Sequence, residues 1–369
     1  MPDPSALATQ VLLAAFLLSF AFGAIAQRTH FCTMGALSDA FNMGDTTRLR
    51  QWALAAGVAI LGFWALALAG LVDPAKTLYG GNRWTWLSAL VGGALFGVGM
   101  VLASGCGSKN LVRLGSGNLK ALVVFLVLGL AAFATLKGIT AVARVATVDR
   151  VAVEFSAPAL LPIGLARATG VDLAVAALGA AGLIGGLLVA WALAGRDFRS
   201  FDNLLAGFGI GLVVVAAWWV SGHLGHLAEH PETLEETFLA TNSGRAEALS
   251  FVAPIAYTLD WLLFFSDRSK VLTIGIVSVA GVVAGAAAMA LVRRDFRWEG
   301  FGSTEDVANH LAGGALMGVG GVTAMGCTIG QGLSGLSTLS ATSFVAVAGI
   351  VAGALGALRY QVWRVERMA

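Results

Sequence analysis

Gly92–Cys106 reads GGALFGVGMVLASGC, and Gly313–Cys327 reads GGALMGVGGVTAMGC. Aligned at an offset of 221 residues with no gap, 11 of 15 positions are identical, including all five glycines of the first copy and the closing Gly-Cys. Such a repeat takes precedence over local readings, because it says that one structural unit is used twice. Past the cysteine the likeness thins, but Asn110 falls opposite Gln331, two side-chain amides at equivalent places. The chain has three cysteines. Two close the repeat, and the third, Cys32, lies in RTHFCTMG, the other short polar interruption of the first half.

The composition around these motifs excludes an ordinary soluble protein. Hydrophobic residues make up 57% of the 369 and charged residues 12%, against about 25% charged in a typical globular chain. Apolar runs of about 20 residues, long enough to cross a core of about 30 Å as helices, recur along the chain. Candidate spans are 7–26, 52–72, 84–104, 119–136, 171–194, 203–222, 247–265, 271–292, 306–326 and 340–358. The expected fold is an all-α polytopic membrane protein of two pseudosymmetric halves, residues 1–167 and 168–369. Glycine, 48 of 369, serves close helix packing in a bilayer. A net charge of +2 gives no basis for a nucleic-acid partner. Three widely spaced cysteines form neither a disulfide framework nor a zinc motif, and no cofactor is expected. The first run lacks a basic leader and reads as a retained helix.

Polar interruptions then mark where helices break. The stretch QRTHFCTMGALSDAFNMGD after the first run is too apolar for a solvated loop and too polar for a span, which suits a half-helix inside a protein-lined space. After Cys106 the chain reads GSKNLVRLGSGN, with Lys109 and Arg113; after Cys327 it reads TIGQGLSGLSTLS, with no charge. Both read as helices that break beside their cysteine. In secondary transporters, broken helices at corresponding points of two halves point to the substrate site. Lys137–Arg167, with Pro158 and Pro162, reads as the linker between halves. The two RDFR loops (196–199 and 294–297) and the C-terminal RYQVWRVERMA are basic, so they are expected on the cytoplasmic side. The acidic, histidine-bearing His223–Glu236 suits the opposite side, as a solvated face rather than a metal site. Simple full crossings do not satisfy all these assignments, so at least one candidate span must be re-entrant or two short helices.

A thiol between glycines at a helix break would sit beside backbone N–H groups that no carbonyl has satisfied. Helix N-termini offer oriented donors and partial positive charge to an anion. The thiol adds a soft, polarizable contact for sulfur. A small hydrophobe packed in a core is the alternative for each cysteine. Lys109 and Arg113 either reach the headgroup region or attract anions toward a path.

At RTHFCTMG, GGALFGVGMVLASGCGSKN, LLAGFGIGLVVVAAWWVSGHLG (Leu204–Gly225) and HLAGGALMGVGGVTAMGCTIGQGLSG, the chain resembles the YeeE/YedE family of bacterial sulfur-transport membrane proteins. The resemblance implies an inner-membrane importer of thiosulfate with inverted halves whose broken helices meet near mid-membrane. It also implies three cysteines that relay the anion through S–H contacts, here Cys32, Cys106 and Cys327. Gly105, Gly107, Gly326, Asn110 and Gln331 would shape the path and supply donors. Family members are tied to a small TusA-like sulfur-carrier protein, and some to selenium metabolism. No ATP-binding GxxxxGK[ST] loop occurs, so coupling would come from gradients or consumption. Other readings are an intramembrane thiol enzyme with a Cys106–Cys327 disulfide, a channel whose cysteines only pack, and a carrier of sulfite, sulfide or a selenium compound.

Overall fold

The computed structural model describes residues 4–368. Its helices are α1 (Pro4–Thr29), α2 (Thr33–Asn42), α3 (Thr47–Leu68), α4 (Trp86–Leu102), α5 (Gly107–Gly115), α6 (Leu119–Lys137), α7 (Ile139–Ala146), α8 (Leu161–Thr169), α9 (Leu173–Ala194), α10 (Phe201–Leu204), α11 (Ile210–Trp219), α12 (Val252–Leu263), α13 (Ile274–Arg293), α14 (Thr304–Thr323) and α15 (Ala341–Met368). A further short helix over 328–337 follows Cys327 and contains a π-type turn at Gly330–Gly335. Only helices or closed barrels satisfy the backbone within lipid. Eight helical stretches among the described residues are long and apolar enough to cross: Pro4–Asn42, Thr47–Leu68, Trp86–Gly115, Leu119–Lys137, Leu173–Ala194, Phe201–Leu224, Ile274–Arg293 and Ala341–Arg367. The protein is an all-α polytopic membrane protein.

The repeat forms the centre of the packing. Helices α4 and α14 cross antiparallel, with Gly92 against Gly320 and Ala324, and Gly99 against Gly313 and Met317. Gly92 is the repeat counterpart of Gly313, and Gly99 of Gly320, so the two contacts are one contact seen from either copy. That reciprocity is the mark of a self-complementary, two-fold interface. The exchange extends outward: Gly93 and Gly97 of α4 meet Ala346, Ile350 and Ala354 of α15, while Gly314 and Gly318 of α14 meet Val124, Val127 and Leu128 of α6. There is no room for side chains. A Cβ on Gly97 would stand 2.2 Å from the Ile350 carbonyl oxygen, so small residues here let backbones touch.

The two ends of the bundle are held by different ion pairs. At one end Arg28 pairs with Asp202 at 2.8 Å, Lys120 bridges Glu299 and Asp306 at 3.3 and 2.9 Å, and Arg364 pairs with Glu305 at 2.5 Å. Both RDFR loops lie here: Arg199 Nε donates to Leu193 O, and Arg297 N donates to Ser116 O. Helix α15 ends at this same end. At the other, Lys76 pairs with Glu236 at 2.6 Å, and Leu78 N donates to Ala246 O.

The re-entrant segment is 247–265. Its helix, α12, has 12 residues, about 18 Å at 1.5 Å per residue, too short for a span of about 30 Å. The chain enters through Leu249, whose carbonyl accepts a 2.7 Å bond from Ser334 Oγ, and returns along α12. Helix α14 has the length to cross, 20 residues, but its polar first half, with Glu305, Asp306, Asn309 and His310, and its glycines lower its hydropathy below that of the eight. The segment read as a linker is structured: it holds α7, α8 and Val153–Glu154, which pairs antiparallel with Arg83–Trp84.

Candidate functional site

All three cysteines occupy the same local structure. A helix ends, one residue adopts a left-handed backbone, and two residues later a cysteine opens the next helix. The left-handed residues are His30, Ser104 and Met325, with φ of 53°, 55° and 56°. None is glycine, so each costs about 1 kcal/mol or more of backbone strain, a cost seen where function needs the shape. The glycine follows this position in both repeat copies instead of filling it, which pattern reading alone does not reveal. After α4 and α14 the turns match bond for bond. Gly105 N donates to Met100 O and Gly326 N to Gly321 O, both at 2.8 Å. This is the closing bond of a Schellman-type cap.

Cysteine is a poor helix cap compared with Ser, Thr, Asp or Asn, because sulfur accepts weakly. Its presence at three such positions therefore calls for a reason other than capping. Cys32 Sγ accepts from Gly35 N and Cys327 Sγ from Gly330 N, each at 3.4 Å. The N–H groups of Phe251 and Ile329 also address Cys327, so three backbone N–H groups converge on that thiol. Cys106 Sγ lies 3.2 Å from Ser108 Oγ. All three thiols are free and buried, at 7%, 1% and 0% exposure for Cys32, Cys106 and Cys327. The left-handed residue before each cysteine, by contrast, is exposed.

The amides of the repeat hold these turns. Asn110 Nδ2 donates to the carbonyls of Gly105 and Cys106 at 2.9 and 3.1 Å. Gln331 Nε2 donates to Ala324 O at 2.5 Å, and its Oε1 accepts from Ser343 Oγ at 2.6 Å. These N–H groups hold main-chain carbonyls, so the two amides shape the turns. Gly105 and Gly326 are each packed by a side chain of the helix that follows: a Cβ on Gly105 would stand 3.1 Å from Lys109 Cγ, and one on Gly326 3.1 Å from Gln331 Cγ. Gly107 is different, with 3.7 Å to Leu128 Cδ1, ordinary contact distance.

A cavity of about 220 Å³ opens beside Met325 and Gly326, lined also by Glu247, Ser250, Tyr257 and Ser278. Glu247, which the sequence reading did not single out, accepts from Asn242 N at 3.3 Å and Ser243 Oγ at 3.2 Å. Burial pushes its carboxyl up to about 7 against those hydrogen bonds. Tyr79 and Trp218, also unanticipated, brace the helix after Cys327: Tyr79 Oη donates to Gly330 O at 2.6 Å and Trp218 Nε1 to Ser337 Oγ at 2.9 Å. The histidines of 223–236 stand away from the cysteines; His226 contacts Glu236, which Lys76 and His226 together hold below the usual carboxylate range.

Two curated relatives are similar over most of their length. A thiosulfate transporter TsuA of Spirochaeta thermophila is 28% identical over 341 residues, covering 89% of this chain and 93% of the relative. A thiosulfate transporter TsuA of Escherichia coli is 26% identical over 353 residues, covering 88% and 87%. The sequence profile described as sulphur transport matches residues 28–356, a range that contains all three cysteine turns, and the chain belongs to that family of transporters.

Proposed function

We propose that this protein carries thiosulfate, a doubly charged anion with a soft terminal sulfur, across the bacterial inner membrane into the cytoplasm. The observation that carries this reading is the thrice-repeated turn in which a thiol, and not a better capping group, opens a buried helix. Cys327 receives the anion from the cavity beside Met325, Cys106 takes it at the centre, and Cys32 passes it on. At each stop the N-terminal N–H groups of a short helix face the anion's oxygens, and the thiol meets its sulfur. The turns are kept open by Gly105, Gly107, Gly326, Asn110 and Gln331.

The division into residues 1–167 and 168–369 fits the reciprocal glycine contacts of α4 and α14. The basic end of the bundle, which carries the C-terminal helix end, faces the cytoplasm, because Lys and Arg near helix ends are retained on that side. A TusA-like sulfur carrier is the partner that would accept the sulfur there. A thiol enzyme is disfavoured by the family, whose members are transporters. The test is uptake of labelled thiosulfate by cells lacking their own sulfate and thiosulfate importers, with Cys106→Ala and Cys327→Ala at matched membrane abundance. Uptake by wild type and collapse in both variants is expected. No uptake by wild type would move the substrate to sulfite, sulfide or selenium compounds; equal uptake by all three would remove the thiols from the path.

A further inference from the structure

The two motif copies share a backbone and differ in charge. Where the first carries Lys109, the second has Gly330. Lys109 is the third residue of α5 and is only partly exposed. Its stem packs on the turn at Gly105, and its ammonium interacts electrostatically with both Cys32 and Cys106. The cations around it are anchored: Arg48 pairs with Asp39 at 3.3 Å, and Arg113 Nη1 donates to Ser104 O at 3.3 Å. Lys109 forms no ion pair with a carboxylate among the described residues. A cation at membrane depth is costly unless something answers its charge. The helix after Cys327, residues 328–337, carries no charge at all.

We propose that Lys109 is the counter-ion of the translocated anion between Cys106 and Cys32, and the residue that selects a doubly charged soft anion over a singly charged one. This rests on the cysteine path of the preceding section. The oriented N–H groups of the three helix ends supply only partial charge. They serve any small anion, whereas a full ammonium favours the one with more charge to neutralise. The placement of Lys109 at the inner pair of thiols, with a neutral counterpart at Cys327, also draws the anion from the outer turn to the inner ones.

The test is equilibrium binding of labelled thiosulfate to purified protein in detergent, competed with sulfate, which is divalent and hard, and thiocyanate, which is monovalent and soft. Wild type, Lys109→Gln and Lys109→Arg are compared after each is shown to elute as a single species. Lys109→Gln is expected to weaken thiosulfate by about 10-fold or more and thiocyanate, with half the charge, by only about 3-fold, and Lys109→Arg to stay within about 3-fold of wild type. Unchanged affinity and competitor ranking in Lys109→Gln would overturn the assignment, as would an equal loss in Lys109→Arg, which would trace the effect to packing at Gly105. Absence of thiosulfate binding by wild type overturns the transport reading and this one together. Binding by wild type with intact ranking in the variant removes only the role of Lys109.

Discussion

Up to the cysteine, the two motif copies are interchangeable: the same glycines, the same reciprocal crossing of α4 and α14, and the same left-handed residue and 2.8 Å capping bond. Beyond it they part. The Cys106 copy continues into α5 with Lys109 and Arg113, near Cys32 and the basic end of the bundle. The Cys327 copy continues into an uncharged helix with a π-type turn, braced by Tyr79, Trp218 and Ser343 and open to a cavity that holds Glu247. The shared part is architecture, and the divergent part sets the charge: symmetry fixes the turns, while a few side chains make their surroundings unlike.

The comparison breaks most completely at the shared part. Gly97→Val drives carbon into the Ile350 carbonyl, an overpacking with no flexible neighbour to yield, and is expected to cost about 3 kcal/mol or more. Membrane abundance and a monodisperse elution peak should be lost. Gly107→Ala, with its 3.7 Å clearance, should leave both intact.

A smaller effect separates the two amides. Asn110→Leu removes two donations to carbonyls, whereas Gln331→Leu removes one donation and also leaves Ser343 Oγ without its acceptor. Each is expected to cost about 1–3 kcal/mol, with Gln331→Leu at the upper end. Thermal unfolding in detergent reads the difference, and equal melting temperatures would deny the orphaned Ser343 hydroxyl any added cost.

The smallest effect sharpens the contrast in charge. Glu247 has a folded pKa of about 7 against an ordinary value of 4.5. Between those values the folded state binds more protons than the unfolded one, so stability falls as pH rises through about 4.5 to 7. Glu247→Gln removes the titration. Its melting temperature relative to wild type should climb across that window and level off above it; a constant difference would show that Glu247 titrates normally.

Much of this architecture was legible in advance, for physical reasons. Apolar length announces helices, and the ungapped repeat ending in Gly-Cys placed two breaks where the structure has them. The half-helix at Cys32 also followed from its intermediate polarity. What stayed hidden depends on contacts between distant segments. The run 247–265 has the composition of a span, yet Leu249 and Phe251 are buried against the helix after Cys327, and the chain turns back. A sequence does not show which carbonyls lie within reach of Asn110 and Gln331. That His30, Ser104 and Met325, and not the neighbouring glycines, take the left-handed position is likewise invisible to residue type. Lys109 and Glu247 are single charges whose meaning depends on what surrounds them.

The central claim is that the thiols carry the anion and do not serve the fold. Serine caps a helix better than cysteine but lacks the soft sulfur contact, so Cys106→Ser and Cys327→Ser separate the two roles. The decisive measurement is thiosulfate flux into proteoliposomes reconstituted with equal amounts of wild type and each serine variant. The account predicts normal melting temperatures and a loss of flux of about 100-fold or more, about 3 kcal/mol of barrier. Wild-type flux through both serine variants would contradict it.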